Sequence, residues 1–433
     1  KLQRGGHDPR KIYAAYQEAK EHKGQPTVIL AKTVKGYGMG EAGEGQNATH
    51  SQKKMGLEHM RRFRDRFHIP VSDEQMEEIP FIRPAEGSEE LNYILGRREG
   101  LGGFLPERRE NAPALEIPPL ESFEALLKGS GERELSTTMV FVRMLSTLAR
   151  DKKIGKHVVP IVPDEARTFG MEGMFRQLGI YSSSGQLYEP EDSGKVMWYR
   201  EDTKGQILQE GINEAGAMAE WMAAATAYTN HGINMMPFYI YYSMFGFQRI
   251  GDLAWAAGDM QARGFMIGGT AGRTTLNGEG LQHQDGHSHV FAGTIPNCVA
   301  YDPTYGYELT VIVQDGMRRM YQEQENIFYY VAVMNENYVH PDMPEGAEEG
   351  ILRGMYALRS TGANKRHVQL MGSGAILREV EAAAEMLKED WDVTADIWSV
   401  TSFNELARDG QDVARWNRLH PVDPPRQSYV AQC

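Results

Sequence analysis

The sequence predicts an α/β protein whose parallel sheets are covered by helices on both faces. Three observations lead to this prediction. Between residues 136 and 338, short apolar segments of strand length alternate with amphipathic segments of helix length. The apolar segments are nearly continuous hydrophobic runs, as in strands that are buried on both faces. After a proline-containing linker at 341–344, a further strand–helix–strand pattern begins at His367.

The elements can be justified in chain order. Asp8 and Pro9 provide an N-cap and a first-turn proline for a helix at 9–22, and an apolar run predicts a strand at 27–34. Helical spacing of apolar residues predicts helices at 136–150, 205–228, 248–262, 305–321 and 375–388. Apolar runs predict strands at 157–163, 236–242, 264–268, 298–301, 327–333, 367–371 and 393–400.

Composition divides the chain into four regions. Residues 1–103 hold the first helix, the predicted strand and a glycine-rich charged loop, and residues 104–135 form a proline-rich connector. Residues 136–340 form a middle domain, and residues 341–433 begin a further α/β domain. The sequence starts without Met and both ends lie close to predicted elements. We therefore expect an internal segment of a longer protein, with a truncated C-terminal domain.

Length and composition exclude several classes of protein. A chain of 433 residues is too long to fold around a single hydrophobic core, and its length predicts about three domains. The formal charge of −13, from 46 Lys and Arg against 59 Asp and Glu, argues against nucleic acid as the main ligand. No segment approaches the run of about 18 apolar residues that a membrane span requires. Only two cysteines and no visible secretory signal favour a reducing, cytoplasmic location.

The segments that follow the predicted strands carry the candidate site. Ligands of open α/β sheets bind beyond the carboxyl ends of strands, so these segments should meet at one edge. They contain paired carboxylates, an aromatic residue, an arginine and histidines, namely Asp164, Glu165, Phe245, Arg249, Glu279, His283, His287 and His289.

Glu214 is the most informative residue of the chain. On the predicted helix 205–228 it lies one turn after Glu210 and is flanked by small residues that allow another surface to approach. An acid that is held against a packed face has its neutral form favoured and can share a proton with a partner.

Plainer interpretations remain open for several of these features. Asp164 and Glu165 could simply complement a helix dipole, and Phe245 and Phe247 could be core residues. The three histidines could instead bind zinc, although no cysteine and no carboxylate–histidine helix motif accompanies them. Gly372–Gly374 resembles half of a dinucleotide fingerprint, but close packing at a turn explains these glycines better.

Longer motifs resemble one family. The similarity is strongest in Asp164–Gly173, Glu210–Glu214, Tyr241–Arg249 and Gly278–His289, and it extends to residues 35–40 and 401–410. These segments are similar to the homodimeric bacterial pyruvate dehydrogenases, which decarboxylate pyruvate within the pyruvate dehydrogenase complex and belong to the transketolase-like thiamine diphosphate enzymes. The resemblance implies a thiamine diphosphate-binding fold.

The resemblance also implies roles for individual residues. Glu214 would hydrogen-bond the aminopyrimidine ring of thiamine diphosphate, and Phe245 would stack on that ring. The residues implied to lie beside the cofactor are Asp164, Glu165, Ile212, Tyr242, Arg249 and, near the diphosphate, Lys35.

Three histidines and one glutamate would act on the substrate side. His283 would lie near the reacting carbonyl as a proton donor or electrostatic stabiliser, with Glu279 and His287 around it. His50 would help to pass the acetyl group to the lipoyl arm of the partner. It lies in a polar loop that is too rich in glycine to hold itself in place, which predicts a mobile lid.

The same resemblance implies cofactors and partners. These are thiamine diphosphate, Mg²⁺, pyruvate, a second copy of the chain in a homodimer, and the lipoyl domain of dihydrolipoyl acetyltransferase. The Gly-Asp-Gly motif that is followed by paired Asn residues is absent from this sequence. We therefore name no metal ligand and expect the Mg²⁺ ligands outside this segment.

Two other functions remain possible at this stage. A transketolase-type ketol transfer would use the same scaffold and the same glutamate, but it would need basic residues that read a phosphate. Alternatively, this segment could be a catalytically silent, dimer-forming piece. Release of carbon dioxide from pyruvate without a sugar acceptor would exclude ketol transfer, and calorimetry with thiamine diphosphate would test the silent fragment.

Overall fold

The chain forms two compact units, residues 1–107 and residues 108–433. The computed structural model describes residues 5–104, 109–163, 166–191, 193, 199–272 and 280–433. Within these ranges, no helix is long and apolar enough to cross a membrane. The domain boundaries at 104–135 and at 341 stay predictions.

The first unit is helical in its described part. Its helices are α1 (Pro9–Glu21), α2 (Leu57–Phe67) and α3 (Glu89–Gly100). The predicted cap of α1 is confirmed, because Asp8 Oδ1 accepts a hydrogen bond of 3.0 Å from the backbone N–H of Arg10. The predicted strand at 27–34 is wrong, since these residues have no regular structure. A strand needs a hydrogen-bonding neighbour, and residues 5–104 contain no other strand.

The second unit contains all of the strands among the described residues. These are β1 (Glu134–Leu135), β2 (Val158–Val162), β3 (Ile180–Tyr181), β4 (Glu201–Asp202), β5 (Leu208–Gln209), β6 (Met236–Tyr242), β7 (Phe265–Gly269), β8 (Cys298–Tyr301), β9 (Phe328–Ala332), β10 (Tyr338–Val339), β11 (Met355–Ser360), β12 (His367–Gly372) and β13 (Thr394–Val400).

Its helices alternate with these strands. They are α4 (Glu124–Leu127), α5 (Thr137–Arg150), α6 (Glu172–Leu178), α7 (Glu214–Ala225), α8 (Ala227–His231), α9 (Phe247–Asp259), α10 (Ser288–Ala292), α11 (Gly306–Met317), α12 (Ala347–Arg353), α13 (Ala375–Trp391), α14 (Phe403–Leu419) and α15 (Tyr429–Gln432).

The main sheet has six parallel strands in the order β5-β2-β6-β7-β9-β8. Alternate residues of β6 face opposite sides and both sides are buried. Phe238 and Ile240 pack in a core with residues of α5 and α11. Tyr239 and Tyr241 pack in a second core with residues of α7 and α9. The predicted fold class, a parallel sheet covered by helices on both faces, is confirmed.

A smaller sheet follows, in the order β11-β13-β12. β12 and β13 are parallel and joined by α13, as predicted, whereas β11 pairs with β13 in the antiparallel direction. Sequence periodicity missed β11, because its last four residues are at least partly exposed and give no continuous apolar run.

The predicted helix at 205–228 is wrong in its first nine residues. Leu208 lies in β5 and pairs with Ile161 of β2, and the helix begins only at Glu214. Gly211 has a φ of 93°, which a helix does not accept, and Asn213 caps the new helix. Glu210 is therefore not one helical turn before Glu214 but lies in the segment that leads to the cap.

Candidate functional site

The candidate site lies at the carboxyl edge of the six-stranded sheet. β6 continues into a 3₁₀ turn at Ser243–Phe245, which leads directly into α9. β5 is followed by a short segment that ends at α7. Another 3₁₀ turn, Leu281–His283, precedes α10 in the connection between β7 and β8. The parallel strands end together, so these three connections meet at one edge.

Glu214 is the first residue of α7. The side chain of Asn213 caps the helix by accepting a hydrogen bond of 3.1 Å from the N–H of Gly216. Glu214 is only 8% exposed, and its Oε1 accepts a hydrogen bond of 2.6 Å from Nη1 of Arg249. A carboxylate at the N-terminus of a helix is favoured by the helix dipole. The structure thus supplies Glu214 with a cationic partner that the sequence did not predict.

Arg249 connects Glu214 to an aromatic ring. Its guanidinium carbon lies 4.2 Å from the centroid of the Phe245 ring, a cation–π contact. Phe245 is half-buried, whereas Phe247 is buried and packs edge-on against Tyr330. The interpretation as a core residue therefore holds for Phe247 alone.

Tyr242 and His283 lie next to Phe245 and add two further rings to this group of contacts. The ring centroid of His283 lies 4.6 Å from that of Tyr242 and 5.1 Å from that of Phe245. The hydroxyl of Tyr242 donates a hydrogen bond of 3.3 Å to Oγ1 of Thr168. Nδ1 of His283 is buried without a hydrogen-bond partner, so this nitrogen is available to a ligand.

The remaining predicted residues of this unit lie as follows. Ile212 is 73% exposed at the entry to α7, and His287 is exposed. His289 packs against Tyr330 instead of joining His283. Among the described residues, no group of three His, Cys, Asp or Glu could hold a metal ion, so the zinc alternative finds no ligand set there. Asp164, Glu165 and Glu279 lie outside the described residues.

Lys35 and His50 lie together in the first unit. Nζ of Lys35 is 3.2 Å from Nδ1 of His50. The mobility predicted for this loop stays a prediction. Within the loop, the N–H of Gly45 donates to the carbonyl of Lys35 at 2.9 Å, and Arg66 of α2 donates to Glu44 of the loop at 2.6 Å. This hydrogen bond from Arg66 holds the pKa of Glu44 below its usual range.

Sequence reasoning missed Asp285. This carboxylate is 8% exposed and its Oδ1 accepts hydrogen bonds of 3.0 Å from the N–H groups of His287 and Ser288. The signal in the sequence is an Asp three residues before the first residue of α10. From there its carboxylate can accept hydrogen bonds from the N–H groups two and three residues later, which is a capping pattern.

Similarity to solved structures defines the class of fold. Transketolase from Campylobacter jejuni aligns with a TM-score of 0.61 and 19% identity, over 93% of this chain and 56% of that chain. Transketolase from Leishmania mexicana aligns with a TM-score of 0.58 and 16% identity, over 95% of this chain and 57% of that chain. At these identities the likeness concerns the fold alone, which is a transketolase-like α/β fold.

Sequence comparisons define the family. Residues 115–341 match the family described as the pyruvate dehydrogenase E1 component middle domain, and residues 354–433 match the transketolase-like C-terminal domain. Pyruvate dehydrogenase E1 components from Pseudomonas aeruginosa and Escherichia coli are 65% and 60% identical to this chain over its whole length. The chain spans 49% of the length of each of these relatives. It belongs to the pyruvate dehydrogenase E1 component family.

Proposed function

We propose that this chain is part of a thiamine diphosphate-dependent enzyme that oxidatively decarboxylates pyruvate and reductively acetylates the lipoyl group of dihydrolipoyl acetyltransferase. The observation that carries the proposal is the position of Glu214. It lies buried at the start of α7, beside Arg249 and the face of Phe245, at the sheet edge where this fold class binds ligands. Membership of the pyruvate dehydrogenase E1 component family supports it.

The geometry around Phe245 fits the aminopyrimidine ring of the cofactor. The guanidinium of Arg249 is planar and donates hydrogen bonds, and it contacts both the ring of Phe245 and the carboxylate of Glu214. A planar group that stacks on Phe245 and donates to Glu214 is therefore accommodated here. The side chain of Arg249 is 46% exposed, so it can move aside for such a group.

The residues of this chain then have separate tasks. When bound, thiamine diphosphate supplies the electron sink that decarboxylation of a 2-oxo acid needs. Glu214 accepts a hydrogen bond from the ring and holds the proton that is exchanged with it. Phe245 and Tyr242 exclude water from this side. His283, whose Nδ1 has no partner of its own, faces the substrate as a proton donor.

Glu214→Gln tests the first half of the proposal. The amide keeps the size of the side chain but cannot exchange a proton in the same way, so we expect decarboxylation to fall by at least about 10²-fold with an intact fold. Glu124→Gln is the matched control, because Glu124 is also the first residue of a helix and also pairs with a basic side chain, Lys128, at 2.5 Å. A Glu214→Gln variant that keeps more than about a tenth of normal turnover would contradict the role of Glu214.

His50→Ala tests the second half. If His50 serves acetyl transfer, the variant releases carbon dioxide from pyruvate at a near-normal rate with a small artificial electron acceptor. It acetylates the lipoyl domain about 10²-fold more slowly, the range of a positioned acid–base group. His22→Ala, which removes an exposed histidine of the same unit, should change neither rate. Equal losses in both assays would mean that His50 only orders its loop.

The cofactor set and the assembly are part of the same proposal. We take the active protein to be a homodimer that binds thiamine diphosphate together with Mg²⁺. The sequence lacks the Gly-Asp-Gly motif with its paired Asn residues, so we propose that the Mg²⁺ ligands lie outside this segment. Titration calorimetry with and without Mg²⁺ measures the affinity of the protein for thiamine diphosphate and the dependence of that affinity on the metal. Absence of binding in the presence of Mg²⁺ would favour the silent alternative.

A further inference from the structure

Asp285 lies midway along the chain between His283 and His287. It has no role in the proposed chemistry and does not belong to the hydrophobic core. Its Oδ1 accepts hydrogen bonds from two successive backbone N–H groups, those of His287 and Ser288, both at 3.0 Å. This arrangement caps the start of α10 and fixes the backbone that follows Asp285. Two residues earlier lies His283, which contacts Phe245 and Tyr242.

The other oxygen of Asp285 is tied to the sheet. The hydroxyl of Tyr330 donates to Oδ2 at 3.4 Å. Tyr330 is fully buried in β9, and its ring packs edge-on against Phe247 at 5.2 Å. Phe247 is the first residue of α9, the helix that carries Arg249. One buried tyrosine thus contacts both the histidine segment and the helix that pairs with Glu214.

The segment is held at its far side as well. Ser288 Oγ donates to the carbonyl of Ser243, at the start of the turn that carries Phe245, at 3.3 Å. Asn404 of α14 donates to the carbonyl of His289 at 2.8 Å. Hydrogen bonds thus hold residues 287–289, which follow His283 closely in the chain, to Asp285, to the turn that carries Phe245 and to α14.

The ionisation state of Asp285 strengthens this arrangement. Burial opposes its ionisation, but the hydrogen bonds from Ser288 and from the N–H of His287 outweigh that effect and hold the pKa of Asp285 below its usual range. Hydrogen bonds to an ionised carboxylate are stronger than those to a neutral acceptor.

We propose that Asp285 is a positioning residue that holds the segment 281–289 so that His283 faces Phe245 and Tyr242 in the reactive geometry. It acts through His283 and does not touch the substrate. The inference rests on the proposed function, in which His283 acts beside the reacting carbonyl. A displacement of about 1 Å of such a group can cost about 10²-fold in rate.

Asp285→Ala should lower kcat for decarboxylation by about 10- to 100-fold and change KM for pyruvate far less. Asp151→Ala is the matched control. Oδ1 of Asp151 accepts from the N–H groups of Lys153 and Ile154, at 2.7 and 3.0 Å, so it makes the same pair of backbone bonds in the same unit, away from the candidate site. Its loss should leave kcat within about twofold of normal.

A double-mutant cycle distinguishes positioning from general damage. If Asp285 acts through His283, the variant with both Asp285→Ala and His283→Ala is no slower than His283→Ala alone, within about twofold. Losses that multiply would overturn the proposal. If Asp285→Ala does not fold, Tyr330→Phe takes its place, because it removes the hydroxyl donor and keeps the ring. We then expect a three- to tenfold loss that disappears in the His283→Ala background.

Hydrogen exchange of the cofactor-free protein gives a readout that does not depend on activity. Asp285→Ala should speed amide exchange in peptides that cover 281–292, and Asp151→Ala should do so only around 151–158. Unchanged exchange at 281–292 would overturn the proposal. If His283→Ala decarboxylates normally, the proposed role of His283 fails, and the exchange result alone then decides whether Asp285 holds the segment.

Discussion

Gly246 joins the turn that carries Phe245 to helix α9, and replacing it by alanine gives a sharp test of how that turn is built. A Cβ atom at this position would lie within 2.9 Å of three atoms of Tyr241, including its hydroxyl oxygen. The backbone of Gly246 has a φ of −72° and a ψ of −103°. The steric conflict with Tyr241 is one cost of the substitution.

The magnitude follows from the burial of Tyr241. Tyr241 lies in the centre of the sheet, is 0% exposed and packs in the core formed with α7 and α9, so its ring has no room to retreat. Overpacking of this kind costs about 1–3 kcal/mol. We expect a value near the upper end, about 2–3 kcal/mol, because several ring atoms are too close at once. Any relief has to come from movement of the turn, which displaces Phe245 and weakens cofactor binding.

Urea unfolding followed by circular dichroism measures the stability, and calorimetry with thiamine diphosphate measures the binding. Gly251→Ala is the control, because Gly251 lies inside α9 with no atom within 4 Å of its added Cβ. An alanine there should stabilise the helix by about 0.5–1 kcal/mol. A Gly246→Ala variant within about 0.5 kcal/mol of the parent protein would refute the reasoning, and so would equal losses in both variants.

Two further predictions concern carboxyl groups, one of which is partly buried and the other fully buried. Burial and the neighbouring charge of Glu210 raise the pKa of Glu220 to about 7, so its protonated form stabilises the fold fully below about pH 4.5. That contribution is lost as the pH rises through 7. Glu220→Gln should therefore raise the free energy of unfolding by about 1 kcal/mol at pH 8, after solvent screening. It should also flatten the pH dependence of this free energy between about pH 5 and 8. A variant with an unchanged pH profile would contradict the prediction. Tyr356→Phe should cost about 1–3 kcal/mol in urea unfolding, because Glu308 is fully buried and loses a hydroxyl donor at 2.6 Å; a loss below about 0.5 kcal/mol would contradict the dependence of Glu308 on that hydroxyl.

The sequence predicted the sheet well because its central strands are buried on both faces. The predicted bounds of β6 and β8 coincide with Met236–Tyr242 and Cys298–Tyr301 in the structure. The prediction of secondary structure failed where the spacing of apolar residues is compatible with both a helix and a strand. Ile207 and Leu208 were assigned to a helix, yet Leu208 pairs with a neighbouring strand. Only Gly211 and Asn213, a left-handed glycine and a cap, mark the true start of α7.

The site was predictable in its residue types but not in its contacts. Glu214, Phe245 and His283 could be selected from their motifs. The pairing of Glu214 with Arg249 depends on how two helices face each other across the sheet edge, which spacing along one chain does not encode. Asp285 escaped notice because its contribution is two backbone hydrogen bonds, and a capping Asp looks the same at an active site as elsewhere.

Arg249 gives the strongest physical argument about what the site selects. The guanidinium of Arg249 is half-exposed, whereas the carboxylate to which it donates, that of Glu214, is buried. Its cation–π contact with Phe245 contributes about 0.5–1 kcal/mol, and loss of the guanidinium would leave the buried carboxylate without a donor. A neutral or cationic ring with donor groups can replace the guanidinium, because it supplies a donor to Glu214 again. An anion cannot, because it would meet the carboxylate of Glu214 and lose the cation–π contact. Under the proposed function, the same geometry would favour the aminopyrimidine end of the cofactor at the face of Phe245 and would place the diphosphate away from Glu214.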